Sequence, residues 1–320
     1  MQWFWLDTWM VVLASLVGVS CALLGNFLLL RKMSMMGDAI SHAVLPGLAI
    51  AYMVSGVRSH FSLFLGAVLA GLVTAVLIQW LSRRGRVDEG AAMGIVFTSL
   101  FAMGLLLIVQ AADHVDLDAN CVLYGSLEFA ALDRSLTFSL LGFQCAVPPA
   151  FFSLAFVTCL NVAFVSLFFK ELRLSSFDPD LAATMGVPVN GLHYALMVLV
   201  AMTAVAAFEA VGSILVIAMF IVPAAIAHLL TDRLVIMMVL SAFLAVVAAV
   251  CGHICTILLP QAFQISGSST AGMMAVMLGL LFGCACLFAP KRGLLMRHKL
   301  NKSLETAIPG AEAVNKSRHQ

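Results

Sequence analysis

Apolar residues arrive in runs of about 20, separated by short polar or basic stretches. Wound as helix, a run of that length spans the hydrocarbon core of a bilayer. Nine such runs are read as spans: about Met10–Leu30, Met35–Val54, Phe61–Leu81, Ala91–Gln110, Ala150–Phe169, Leu192–Phe208, Gly212–Leu230, Leu234–Cys251 and Ala271–Ala289. The stretch from Tyr124 to Phe169 holds more apolar residues than one span needs and breaks at Gln144 and Pro148-Pro149. Ser135–Val147 is therefore read as a segment lying on the lipid surface or partly inserted. The pattern predicts an all-α fold, a polytopic transmembrane helical bundle of about eight to nine spans.

Composition removes the soluble alternatives. Of 320 residues, 62% are hydrophobic and 10% charged, against an apolar share of about 45–50% in soluble domains, and mean hydropathy is +1.07. The net charge of +1 supplies no basic field for nucleic acid. Its distribution says more. Lys and Arg follow the first, third, fifth, seventh and ninth spans, whereas the acidic loop Asp113–Asp118 follows the fourth. The positive-inside rule then places the N-terminus outside and the C-terminus in the cytoplasm, with Arg58 the one mild exception. The first residues lack a basic n-region and a nearby small-residue cleavage site, so no removed signal peptide is expected. Trp3, Trp5 and Trp9 suit an interfacial belt. The eight cysteines include no C-x-x-C pair and read as core packing.

Within the second span, Met36-Gly37-Asp38-Ala39-Ile40-Ser41-His42-Ala43-Val44-Leu45-Pro46-Gly47 carries a carboxylate and an imidazole among apolar neighbours. On a helix Asp38 and His42 leave from one face, one turn apart. A carboxylate oxygen with an imidazole nitrogen is part of a coordination shell for a divalent transition ion. Pro46 removes the helix hydrogen bond to the His42 carbonyl, and a freed carbonyl at membrane depth needs protein, water or an ion to satisfy it. The competing reading is an Asp–His pair that only hydrogen-bonds between packed helices, and residue chemistry alone leaves both standing.

A second constellation lies in the polar connection Lys170–Pro188. Asp178 can cap a helix, Pro179 suits its first position, Asp180 favours the positive end of the dipole, and Gly186 with Pro188 stops it. Two turns bracketed this sharply between spans look like a docking knob; an ordinary loop is the alternative. Glu209, between the sixth and seventh spans, either lines an outer vestibule or faces water. His114 and the acidic loop read as a solvated external loop, and His193, His228 and His253 as packed histidines. The sequence holds no phosphate-binding loop, no H-E-x-x-H and no dinucleotide fingerprint. An ATP-driven reading therefore places nucleotide on another chain.

Several blocks together resemble the permease subunits of the manganese, zinc and iron ABC importers. They are Leu30–Gly47, Phe177–Val187, Glu209–Ala225 and the closing Phe288-Ala289-Pro290-Lys291-Arg292-Gly293. Phe138–Pro149 departs from the family by its length. The resemblance implies a permease fold of the ABC importer type, with residues 1–295 as a transmembrane domain; the tail 296–320 lies outside it and reads from its polar composition as a basic, disordered cytoplasmic segment. It implies a multi-pass protein of the bacterial cytoplasmic (inner) membrane and a transport subunit rather than an enzyme. Its expected partners are a cytoplasmic ABC ATPase dimer, a second permease copy or paralogue, an external metal-binding protein and membrane lipid. No cofactor is expected to be bound permanently; the metal is cargo. Carried over by position, Asp38 and His42 match the polar pair on the ion path, with Glu209 raised only modestly. Asp178, Pro179, Asp180, Ala182, Ala183 and Gly186 match the helix that couples to the ATPase. A secondary, ion-coupled carrier in which Asp38, His42 and Glu209 relay protons is the alternative, and it gives the capped helix no role.

Overall fold

The computed structural model describes residues 5–55, 60–111, 136–140, 143–263 and 269–289. The acidic loop with His114 and the tail 296–320 lie outside them. The described helices are α1 (Trp5–Leu30), α2 (Met36–Ser55), α3 (His60–Gly85), α4 (Glu89–Ala111), α5 (Pro149–Leu167), α6 (Phe169–Phe177), α7 (Pro179–Thr184), α8 (Val189–Val211), α9 (Ser213–Leu230), α10 (Leu234–Phe263) and α11 (Thr270–Phe288). Between α4 and α5 runs a hairpin of β1 (Leu136–Leu140) and β2 (Phe143–Val147).

Eight of these helices are long and apolar enough to cross a membrane, and α9 presents the shorter apolar run Leu215–Leu230. The bundle is organised on α1, which packs against α5, α6, α8, α9 and α10. Its residues Leu13, Val17, Leu24, Phe27 and Leu28 are fully buried or nearly so. α2 instead packs with α3 and α4 along one side and touches α8 and α9 on the other. Small residues permit its tight crossing with α3. A Cβ on Gly47 would stand 2.5 Å from the Gly66 carbonyl oxygen, and one on Gly66 would stand 2.5 Å from the Ala51 Cβ. Close backbone approach through small residues is the usual way membrane helices gain packing where no hydrophobic drive separates protein from lipid.

Buried amides add polar ties between helices. Asn161 of α5 donates from Nδ2 to Ser20 Oγ of α1 and to Thr203 Oγ1 of α8, each at 2.7 Å. Asn26 of α1 donates to Ser241 Oγ of α10 at 2.7 Å. Both amides are fully buried, where an amide is tolerated only with partners.

Two elements add to the expectations. Ser135–Val147 is read from the sequence as lying on the lipid surface or partly inserted, and within it Leu136–Leu140 pairs antiparallel with Phe143–Val147, Leu136 opposite Val147. Leu136-Thr137-Phe138-Ser139-Leu140 alternates apolar and polar positions, the period of a strand rather than of a membrane helix. The polar connection after α5 also holds one helix more than predicted. α6 places Glu171 and Arg173 beside a buried Leu172 and Ser175, an amphipathic turn pattern that overall polarity hides.

Candidate metal path and docking helix

Asp38 stands in the first turn of α2, where the helix dipole favours a carboxylate. His42 follows one turn later, and its Nε2 lies 3.3 Å from Asp38 Oδ1. The side chains are 33% and 21% exposed respectively, so neither is sealed into the core. Two donors 3.3 Å apart can share one ion. With bonds of about 2.1 Å to each, the angle at the metal would be roughly 105°, close to tetrahedral. Two rings of α4 flank the imidazole, Phe97 at 5.1 Å and Phe101 edge-on at 5.6 Å. They hold its plane while leaving the nitrogen facing the carboxylate.

Pro46 lies inside α2, so the His42 carbonyl lacks its helix donor. α4 crosses here closely, since a Cβ on Gly104 would stand 2.7 Å from Pro46 Cδ. Among the described residues no group of three or more His, Cys, Asp or Glu could hold a metal. The pair therefore supplies two candidate donors, both partly exposed.

Glu209 stands in the last turn of α8; its side chain is outside the described ones. Its place along the bundle can still be judged. Ile40 of α2 and Ala201 of α8 both lie against Gly71 of α3, so they share a level. Glu209 comes eight residues after Ala201, roughly 12 Å further along α8 at about 1.5 Å per residue. That offset sets the Glu209 backbone about two helical turns from the level of Ile40.

The residues that bound the short helix after α6 form its caps as the sequence predicts. Asp178 caps α7, its Oδ1 accepting from the Leu181 amide at 2.9 Å, with Pro179 at the first helical position. Gly186 adopts φ +81°, and the chain closes with Val187 N–H donating to Ala182 O at 3.0 Å and Gly186 N–H to Ala183 O at 3.1 Å. This is a Schellman stop, which needs the left-handed residue that glycine supplies without strain. Asp180, Leu181, Ala183, Thr184 and Met185 are exposed and Ala182 is buried, so the helix offers an outward face that mixes a carboxylate with the apolar side chains of Leu181 and Met185.

The sequence reading missed a cluster at the same end of the bundle. The Arg31 guanidinium donates to Ser175 Oγ at 2.9 Å and to Ser176 Oγ at 3.1 Å. Its Nη1 lies 3.5 Å from His193 Nδ1. Burial lowers the Arg31 pKa from its ordinary value. Arg83 donates to Asn190 Oδ1 at 2.9 Å. Counted only as charges near span ends, these arginines carry no signal of their partners. His253, read as a packed histidine, is buried and pairs its Nε2 with Asp7 Oδ1 at 3.3 Å.

A bundle of apolar, membrane-length helices, one of them carrying a partly exposed carboxylate–imidazole pair and an internal proline, defines a polytopic helical membrane protein. The chain belongs to the ABC 3 transport family, whose model matches residues 6–289. It is 42% identical over 303 residues to the manganese transport system membrane protein MntD of Bacillus subtilis strain 168, covering 94% of this chain and 99% of that one. It is 41% identical over 295 residues to the zinc transport system membrane protein TroD of Treponema pallidum strain Nichols, covering 92% of this chain and 77% of that one. In structure it resembles a chain of PsaBC from Streptococcus pneumoniae in complex with Fab, with a TM-score of 0.72 and 31% identity, covering 90% of this chain and 94% of that one.

Proposed function

We infer that this chain is the permease subunit of an ATP-driven importer that carries a divalent transition metal, manganese, zinc or iron, across the bacterial cytoplasmic membrane. The observation that carries the reading is the Asp38–His42 pair, two donors 3.3 Å apart and partly exposed on a span helix. Two ligands strip only part of an ion's hydration shell, so binding stays weak enough for release, as conduction along a pathway requires. ATP is hydrolysed on a separate chain, a dimer of cytoplasmic ATPases that grips α7. A second permease copy or paralogue completes the pathway, and an external metal-binding protein delivers the ion. Closing of the ATPases moves α7, and the pathway alternates between outward and inward access. The Lys/Arg pattern puts α7 and the C-terminus in the cytoplasm and the N-terminus outside.

The test is uptake of radioactive manganese and zinc into vesicles bearing the assembled complex, with and without ATP. Uptake should need ATP and should be lost in the Asp38→Asn protein, which keeps the shape but removes the charge. ATP-independent uptake would favour an ion-coupled carrier, and near-normal uptake by Asp38→Asn would reject the ligand role.

A further inference from the structure

We propose that Arg31 is a positioning residue that joins the α6–α7 unit to the corner before α2, so that movement of the docking helix reaches Asp38 and His42 through one guanidinium. The proposal rests on the reading of α7 as the ATPase-docking helix.

On one side of the joint, α6 and α7 form a single unit. Asp178 ends α6, its N–H donating to Leu174 O at 2.9 Å, and begins α7 with its side chain. Ser175 and Ser176 lie in the last turn of α6, two or three residues before that shared cap. On the other side, Arg31 is the C-cap of α1. The chain reverses there through Lys32 N–H to Leu29 O at 3.1 Å and Met33 N–H to Leu28 O at 2.8 Å. Lys32 takes φ +61°, a left-handed conformation that a side chain disfavours. The corner continues without slack into α2, with Met36 N–H donating to Met33 O at 3.0 Å and Ala39 N–H to Met35 O at 3.0 Å. Asp38 sits inside that last hydrogen-bonded turn.

The chemistry of the joint suits a part that changes partners. A cation that only balanced the end of α1 would stand in water and need no side-chain partner. Arg31 instead is drawn into the groove where α6 meets α1 and α8, and its partners are two neutral hydroxyls and an imidazole. Holding a half-buried cation with no carboxylate among its described partners is costly unless the geometry is used. Neutral acceptors make the joint directional, because the planar fork must meet both serines at once, yet leave it breakable. Ser175 accepts from the guanidinium while donating its own hydroxyl to the Leu172 carbonyl at 3.3 Å, so it stays tied to α6 whether or not Arg31 is engaged.

The experiment uses the permease–ATPase complex in vesicles, reading manganese uptake and ATP hydrolysis in the same sample. Arg31→Ala, Arg31→Lys and the double variant Ser175→Ala with Ser176→Ala are compared with the native protein. Uptake per ATP hydrolysed should fall on the order of tenfold in Arg31→Ala and in the double variant, with the ATPase retained in native ratio. Arg31→Lys should fall between, since an ammonium cannot bridge both hydroxyls in one plane. A role confined to packing would lower uptake and hydrolysis together, and a proportional loss or an unchanged ratio overturns the proposal. Should Arg31→Ala not assemble, the double serine variant, which keeps the cation, decides on the same ratio. Ala182→Arg tests the docking reading separately. An ATPase that stays bound to it removes that reading and the joint with it, whereas release of the ATPase with a native ratio in the Arg31 variants removes the joint alone.

Discussion

Two aspartate–histidine pairs lie in this bundle at the same separation and in opposite surroundings. Asp38 and His42 approach to 3.3 Å on one helix and are 33% and 21% exposed. Asp7 and His253 approach to 3.3 Å between α1 and α10 and are 15% and 2% exposed. Distance therefore does not distinguish a ligand pair from a tie; attachment and access do. A pair on one helix fastens nothing to anything, so its polar atoms remain available to a third party. A pair that bridges two helices is already engaged in holding them, and a buried one has no route for an ion to arrive. The comparison also separates two costs. A partly exposed pair can be satisfied from outside the protein, while a buried pair must satisfy its own polar atoms or destabilise the fold.

The largest expected effect exploits that contrast. His42→Ala should lower metal uptake by about two orders of magnitude at matched amounts of assembled complex, the scale on which lost support of a metal site is felt. His253→Ala, normalised to folded protein, should leave uptake within about twofold. Equal losses in both would erase the distinction. Next comes stability. His253→Ala or Asp7→Leu should each destabilise the purified protein by about 2 kcal/mol, the cost of stranding one buried polar partner. The pair replacement Asp7→Leu with His253→Phe should recover most of it, because two apolar groups of similar shape strand nothing. Thermal unfolding in detergent reads both, and a double variant as weak as the singles would show that the tie is not pairwise.

A sharper view of access comes from carbethoxylation of histidine. His42 should react and be shielded by manganese or zinc, while His253 stays unreactive until the protein unfolds. Peptide mass mapping gives the two rates side by side, and metal shielding at His253 would make the buried pair a second ion site. The smallest effect concerns the rings that brace the imidazole. Phe97→Leu should cost about 1 kcal/mol of ring contact, the usual worth of an aromatic pair. Uptake should then drop only severalfold, and a loss as deep as that of His42→Ala would give Phe97 a part in the path itself.

How much was legible before the fold follows from the range of each interaction. The spans were readable because bilayer thickness fixes helix length, so every run of about 20 apolar residues had one reading. α7 was readable to the residue, because Asp178, Pro179 and Gly186 act within six positions of the helix they bound. Asp38 and His42 were readable as a pair, because four residues is one turn. The strand-forming alternation of Leu136–Leu140 was present in the sequence but hidden by its apolar content. α10 runs on to Phe263, beyond the span end expected at Cys251, since apolar residues continue past Gly252 and His253 and hydropathy marks membrane thickness rather than where a helix stops.

Nothing in the sequence joins Arg31 to Ser175, 144 positions away, or His253 to Asp7, or sets Phe97 and Phe101 against His42. Those partners come from how helices cross, and crossings depend on contacts such as Gly47 on Gly66 that no local pattern announces. The sequence by itself determined which segments are helices, where α7 starts and stops, and that a carboxylate and an imidazole share a face. The tertiary structure alone decided which of two equal Asp–His pairs is the more exposed and which cation reaches the last turn of α6, because burial and long-range partners are properties of packed surfaces and not of the chain.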